Sequence, residues 1–178
     1  MKILAVDQAR HGGWSIYDYQ KKELLEYGTF NYEPEKYDFS KAVLLIERLI
    51  ADLIVEKEVC AIFFEDIQMQ SNVVSFKRLA QLQGVLINLC EKNEYLYDLI
   101  MPSQWQGFCN ARGRTTKEIK EKVKDLPVVA GKKKSKILSI QAVKNLYGVE
   151  TENDNLADAI MIGHYVVHNV RIQGDLRS

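Results

Sequence analysis

The chain has 178 residues, the usual size of one domain with a single hydrophobic core. Its composition, 47% hydrophobic and 27% charged with only 3 prolines, excludes a disordered or collagen-like protein. No apolar run approaches the roughly 20 residues of a membrane span, and Lys2–Asp7 is too short and too acidic for a signal peptide, so we expect a cytoplasmic protein without a membrane partner.

Apolar periodicity along the first half of the chain predicts an α/β order. Three apolar runs separated by turn residues predict consecutive strands, Lys2 to Val6, Trp14 to Tyr17 and Leu24 to Phe30. A helix with a cap at Asp38 and an apolar face up to Ile54 comes next. The continuous apolar run from Ala61 to Phe64, closed by Glu65, predicts a central strand that is buried on both faces.

The second half of the chain continues this alternation. Its predicted elements are a helix from Asn72 to Glu91, a strand from Tyr95 to Met101 that Pro102 stops, a helix capped by Ser135 and a final helix that starts at Asp154. Residues 1–178 are therefore predicted to form a single α/β domain, with a mixed five-stranded sheet flanked by helices.

Acidic residues stand where these elements begin or end. Asp7 and Glu65 close two predicted strands, and open α/β sheets place their ligand crevice at the carboxyl ends of strands. In the last helix, Asp158 shares a face with Asp154, four residues before it, and with Asn155, three residues before it. A helix packed on that sheet edge can add either pair to Asp7 and Glu65.

A cluster of carboxylates requires protons or cations, because two of them about 5 Å apart repel by about 3 kcal/mol at an effective dielectric constant near 20. Mg²⁺ prefers oxygen ligands, and two such ions about 3.5 to 4 Å apart can promote in-line displacement at a phosphodiester. Taken singly, each acid also fits a structural role, since Asp154 is an ordinary residue for a helix start.

Three groups of motifs resemble, in order along the chain, those of the RuvC family of Holliday junction resolvases. Ile3–Asp7 with Gly13–Ser15 resembles the opening strand and hairpin, Ile62–Met69 with Lys77–Val85 resembles the segment of the second acid, and Lys134–Ser135 with Leu156–Ile160 resembles the motifs of the catalytic lysine and the terminal acid.

This resemblance implies an RNase H-like fold and a metal-dependent, structure-specific endonuclease that cuts four-way or other branched DNA as a homodimer, without a small-molecule cofactor. The implied ligands of two Mg²⁺ ions, for which Mn²⁺ can substitute, are Asp7, Glu65, Asp154 and Asp158, and Lys134 is a further catalytic residue. The helix from Val73 to Leu89 is expected to form part of the dimer interface, and symmetric cleavage requires the two active sites that a two-fold dimer supplies.

The chain departs from the family pattern at several positions. Asn155 stands where the family typically has an acid three residues before the terminal one. Either Asp154, one position away, takes that role, which we favour, or Asn155 coordinates weakly and the site depends on fewer charges. Gln106 stands where bacterial members commonly have a lysine. Residues 110–131 resemble an insertion relative to bacterial members, which suggests a bacteriophage-type protein acting in a host cytoplasm.

The 24 basic and 24 acidic residues balance, but they are unevenly distributed. From Asn110 to Lys136, ten basic residues are interspersed with three acidic ones, which gives this segment a charge of plus seven. We expect it to contact DNA phosphates. The predicted DNA-binding residues are Arg112, Arg114, Lys117, Lys132, Lys133 and Lys136. The alternative is a solvated helical face.

Other functions stay open at this point. Related RuvC-like nucleases process RNA, and Asn155 with Gln106 is compatible with a catalytically inactive protein that binds branched DNA. An actin-like phosphotransferase has a similar first strand, but that fold needs two such domains. Among the remaining residues, we expect the two tryptophans to pack in the interior and His164 and His168 to lie on the surface.

Overall fold

The structure of the chain is a computed structural model that describes residues 1–69, 72–109, 111 and 134–172, with the backbone alone for 134–136. Within these ranges a sheet of five strands has the order β3-β2-β1-β4-β5. The strands are β1 Lys2–Asp7, β2 His11–Asp18, β3 Glu23–Asn31, β4 Val59–Glu65 and β5 Leu96–Ile100. The β1, β4 and β5 strands are parallel, and β2 and β3 are antiparallel to their neighbours. The predicted mixed five-stranded sheet is confirmed.

Both faces of the central strands are buried. Along β1, Ile3 and Ala5 belong to the core on one side of the sheet, whereas Leu4 and Val6 belong to the core on the other side, and all four are 0% exposed. This alternation follows from the two-residue period of a strand. It explains why β1 and β4 have continuous apolar sequences.

Helices cover both faces of the sheet. They are α1 Phe39–Glu56, α2 Val73–Lys92, α3 Pro102–Phe108, α4 Lys134–Tyr147 and α5 Asp154–Asn169. The α1 and α2 helices pack on the side of Leu4 and Val6. Residues of α3, α4 and α5 pack on the opposite side, and this three-layer arrangement matches the predicted α/β class. No helix in the described ranges is long and apolar enough to cross a membrane.

Side-chain caps fix the beginnings of two helices. The Asp38 carboxylate accepts a hydrogen bond from the Lys41 backbone N–H at 2.7 Å, which confirms the predicted cap of α1. At the start of α5 the cap is Asn153, whose side-chain oxygen accepts from the backbone N–H groups of Asn155 and Leu156. Asp154 is therefore the first residue inside the helix, where the positive end of the helix dipole stabilises a carboxylate.

Close contact between β2 and α5 sets the position of the last helix. The hydroxyl groups of Ser15 and Tyr17 donate to the backbone oxygens of Ala159 and Ile160, each at 2.8 Å. A Cβ atom at Gly13 would lie 2.4 Å from the Asn155 carbonyl oxygen, so only glycine permits this approach. The strand residues therefore hold the amino-terminal half of α5 directly against the sheet.

Two elements differ from the expectations. The sequence places the second strand at Trp14, but β2 already begins at His11, because Gly12 and Gly13 pair within the sheet instead of forming the turn. Pro102 was expected to stop the fifth strand, and it also starts α3, since proline is well suited to the first position of a helix.

Candidate functional site

Asp7 and Glu65 end adjacent strands of the sheet. Val6 of β1 is the register partner of Phe64 of β4, and the two strands are parallel. The residues that follow, Asp7 and Glu65, therefore end the strands side by side. The Asp7 side chain is buried, and that of Glu65 is partly buried.

These two acids border a cleft with a volume of about 520 Å³, which we call the acidic cleft. Its lining residues are Asp7, Gln8, Ala9, Glu65, Asp66, Ile67, Gln68, Met69, Leu79, Pro102, Gln106, Asn155 and Asp158. Four carboxylates and four carboxamides thus line one opening at the sheet edge where the strands β1 and β4 end.

The α5 helix contributes Asn155 and Asp158 to the acidic cleft, and Asp158 is only 5% exposed. Asp154, which we favoured for the fourth acid, does not line the cleft, and Asn155 does. Spacing alone cannot distinguish the two, because both share a helical face with Asp158. The contact between Gly13 and the backbone of Asn155 decides which residue of the first helical turn lies next to the strands.

Hydrogen bonds hold Glu65 from two sides. The indole Nε1 of Trp105 donates to Oε1 of Glu65 at 2.9 Å. The side-chain amide of Gln8 donates to the backbone oxygen of Glu65, which ties the end of β1 to the end of β4. Oε1 of Gln8 is buried and has no hydrogen-bond partner among the described residues.

The loop after β4 is held by Gln83 of α2, a residue that the sequence analysis did not single out. Its side-chain amide donates to Oδ1 of Asp66 at 3.2 Å, and its carbonyl oxygen accepts from the Ile67 backbone N–H at 3.3 Å. Gln83 is only 7% exposed. The signal available in the sequence was a polar residue on the otherwise apolar inner face of this helix. Such a residue indicates a specific hydrogen-bonding role, because buried amides require partners.

The donor chemistry of the acidic cleft suits a hard divalent cation. Its polar side chains carry carboxylate and carboxamide groups, and its lining contains no histidine, cysteine, lysine or arginine from the described residues. In the same part of the chain, no group of three His, Cys, Asp or Glu side chains is arranged to hold a metal ion. The cleft therefore has the ligand type that Mg²⁺ prefers.

Several predicted residues lie outside the described part of the chain. These are Arg112, Arg114, Lys117, Lys132 and Lys133, together with the side chains of Lys134 and Lys136. The backbone of Lys134 forms the first residue of α4, so Ser135 lies inside the helix and the predicted cap at Ser135 is wrong. Gln106, which stands in place of the family lysine, lines the acidic cleft.

The tryptophans and histidines only partly match the expectations. Trp105 is buried at 1% exposure, as predicted, and Trp14 is partly buried. His168 is exposed, as predicted, but the same prediction is wrong for His164, which is partly buried. Its Nδ1 atom lies 2.6 Å from the hydroxyl of Tyr147, a residue of the adjacent helix α4.

Comparison with known proteins finds relatives at the level of structure. No family model and no curated protein matches the sequence. The chain superposes on RuvC of Thermus thermophilus in complex with a Holliday junction substrate, with a TM-score of 0.68 and 12% identity over 93% of this chain and 92% of that one.

Two further resolvases also superpose on the chain. The yeast mitochondrial Holliday junction resolvase Ydc2 gives a TM-score of 0.57 at 15% identity, covering 93% of this chain and 77% of that one. The fowlpox virus resolvase with its Holliday junction DNA gives 0.52 at 13% identity, covering 94% and 97%. The chain therefore has the RNase H-like α/β fold of these resolvases, which confirms the predicted fold.

Proposed function

We propose that this chain is a metal-dependent endonuclease that cuts four-way or other branched DNA, in the manner of a Holliday junction resolvase. The observation that carries the proposal is the convergence of Asp7, Glu65 and Asp158 on one cleft. The shared fold supports it, because two of the matching resolvase structures contain Holliday junction DNA.

In this proposal Asp7, Glu65 and Asp158 hold divalent cations, and the Asn155 carboxamide supplies a neutral oxygen beside them. Bound Mg²⁺ would activate a water molecule and stabilise the leaving oxygen of a phosphodiester. Carboxylates that share one cleft repel each other, and a bound divalent cation would offset that repulsion. Lys134, at the start of α4, is proposed to stabilise charge on the phosphate that is cut.

The proposed enzyme acts as a homodimer, which would place two acidic cleavage sites on matching strands of a junction. An open apolar groove between α1 and α2 supports this part of the proposal. Its lining includes Phe39, Val43, Leu44 and Val85, and Leu44 is 62% exposed. Exposed apolar patches of this kind favour association. Sedimentation equilibrium tests the proposed homodimer. The natural chain is expected to be a dimer, and Leu44→Glu is expected to dimerise more weakly.

Cleavage of a mobile four-way junction with Mg²⁺ tests the function. Asp7→Asn, Glu65→Gln and Asp158→Asn are each expected to lower the cleavage rate by at least about 100-fold, because each removes a negative ligand from the cations. Junction affinity, measured by gel shift in EDTA, should remain within a few-fold. Cleavage that persists in EDTA or in Asp7→Asn would contradict the proposal, and binding without cutting by the natural chain would identify an inactive binding protein. Cutting of RNA hairpins instead of junctions would identify an RNA nuclease.

Asp154→Asn and Asn155→Ala form a matched pair in the same assay. Only Asn155 lines the acidic cleft, so Asn155→Ala is expected to slow cleavage about 10-fold or more, whereas Asp154→Asn retains most of it. The opposite ranking would restore Asp154 to the proposed ligand set.

A further inference from the structure

Trp105 is a buried residue whose indole N–H donates a hydrogen bond to one carboxylate of the acidic cleft. Its side chain is 1% exposed and lies in the core on the α5 side of the sheet. The indole Nε1 is 2.9 Å from Oε1 of Glu65, which is 40 residues away in sequence. The tryptophan therefore belongs to the hydrophobic core, and its indole N–H reaches a carboxylate that lines the cleft.

The position of this indole is fixed by the short helix α3. Pro102, the first residue of α3, lines the acidic cleft, and the Gln104 side chain accepts a hydrogen bond from the Met101 backbone N–H at 2.9 Å. At the other end, the Cys109 thiol lies 3.7 Å from the Met161 backbone oxygen of α5, to which it is a weak hydrogen-bond donor. The helix thus borders the cleft at one end and contacts α5 at the other, which holds the indole near the end of β4.

An indole N–H can only donate a hydrogen bond, and when it is buried it needs an acceptor. Here the acceptor is a carboxylate, and a hydrogen bond to an ionised acceptor is stronger than one between neutral groups. The donor restricts the orientation of the Glu65 carboxylate, because moving Oε1 away would leave the N–H buried without a partner.

We propose that Trp105 is a positioning residue that orients the Glu65 carboxylate for cation binding in the acidic cleft. This inference rests on the proposed function. Groups that hydrogen-bond a metal ligand fix its orientation, and their loss typically lowers metal affinity about 10- to 100-fold. A residue with a packing role alone would be replaced by phenylalanine without such a loss.

NMR of the two indole N–H groups tests the hydrogen bond in the natural protein. The chain has 2 tryptophans, so the indole signal that remains in Trp14→Phe identifies Trp105. Mg²⁺ is expected to shift the Trp105 signal and to leave that of Trp14 in place, since Trp14 packs with the core on the opposite side of the sheet. Glu65→Gln, which replaces the acceptor carboxylate, should also shift the Trp105 signal and leave that of Trp14 in place. A Trp105 signal that responds neither to Mg²⁺ nor to Glu65→Gln would overturn the proposal, even if Trp105→Phe fails to fold.

Mn²⁺ binding, measured by calorimetry, tests the consequence. Trp105→Phe is expected to bind Mn²⁺ about 10- to 100-fold more weakly than the natural chain, and raised Mn²⁺ should recover part of its junction cleavage without a change in junction affinity. Trp14→Phe is the matched control and should bind Mn²⁺ normally. Normal Mn²⁺ affinity in a folded Trp105→Phe would refute the positioning role. If the natural chain itself binds no Mn²⁺, the proposed function fails, while the indole signal in Glu65→Gln still reports on the hydrogen bond.

Discussion

His164 lies among aromatic side chains between α4 and α5. Its ring centroid is 5.7 Å from that of Tyr147, 5.6 Å from that of Phe108 and 4.4 Å from that of His168. Burial, with a smaller effect from the neighbouring His168, lowers the pKa of His164 from 6.5 to about 4. The folded chain therefore keeps this imidazole neutral at pH values where the unfolded chain protonates it.

The lowered pKa of His164 predicts a loss of stability in acid. Between pH 6.5 and about 4, His164 is protonated in the unfolded state but not in the folded state. The stability that neutral His164 contributes is therefore complete above pH 6.5, and it is lost as the pH falls through that window. Its expected size is about 1 to 3 kcal/mol. In urea unfolding at pH 7.5 and 4.5, His164→Gln should lose less stability between the two pH values than the natural chain. His11→Gln, at an exposed position, is the control, and equal losses in all three chains would contradict the prediction.

Individual residues show how far the sequence could predict the candidate site. Asp7, Glu65 and Asp158 follow from strand ends and helical spacing, and the structure brings them to one cleft. The choice between Asp154 and Asn155 could not be made, because it depends on the rotation of α5 against β2. The role of Trp105 was also hidden, since its hydrogen bond joins residues 40 positions apart that no local pattern connects.

At the scale of elements, the contact between β2 and α5 determines the shape of the acidic cleft. Gly13 lies against the backbone of Asn155, and Gly163 of α5 lies against the Tyr17 ring, where a Cβ atom would come within 2.4 Å of a ring carbon. Hydroxyl groups of Ser15 and Tyr17 tie the same two elements together. Two glycines thus allow close approach, and two hydrogen bonds fix the register.

Gly13→Ala is expected to destabilise the chain by about 1 to 3 kcal/mol and to slow junction cleavage, because the new Cβ would push the start of α5 from β2. The matched control is Gly107→Ala in α3, where no atom of the described residues outside the helix backbone and the neighbouring residues lies within 4 Å of the added Cβ. That variant should gain up to about 1 kcal/mol from helix propensity. Urea unfolding measures both free energies. A Gly13→Ala chain as stable as the natural one would show that the helix can shift at no cost.

Secondary structure was predictable wherever the sequence has a long periodic pattern or a continuous apolar run. The helices α1 and α2 have periodic apolar faces, and β4 has the continuous run. The short helix α3 was missed because seven residues hold too few turns to show a period. The start of β2 was missed because the glycines that suit a turn serve here for close packing against Asp7 and Asn155.

At the scale of the whole molecule, charge is separated into an acidic cleft and a basic segment. The cleft carries four carboxylates, and the segment from Asn110 to Lys136 has a charge of plus seven. Most of that segment lies outside the described residues, so its contact with DNA stays a prediction. DNA binding by an overall neutral chain requires such separation, because phosphates are attracted to basic residues and repelled by the acids.

Charge reversal at Lys132 and Lys133 is expected to weaken binding to a four-way junction and to make it less dependent on salt. Each phosphate contact that is lost reduces the slope of log affinity against log salt concentration by about 1, so the double reversal should reduce it by about 2. Fluorescence anisotropy with a labelled junction in EDTA at several salt concentrations measures the slope. The control is Lys57→Glu, remote in sequence and paired with Glu26 at 2.6 Å. Unchanged affinity and slope in the Lys132/Lys133 variant would refute the prediction.

The hydroxyl contacts from Ser15 and Tyr17 to α5 join elements that are far apart in sequence, and they can form only after α5 has been synthesised. During synthesis, β2 leaves the ribosome long before residues 154–169 do. One face of the sheet therefore stays uncovered until α5 has been synthesised. Asp7 and Glu65 are exposed to the cell before Asp158 exists. A nascent chain that stops before α5 accordingly lacks Asp158, and with it the complete set of carboxylates that line the cleft.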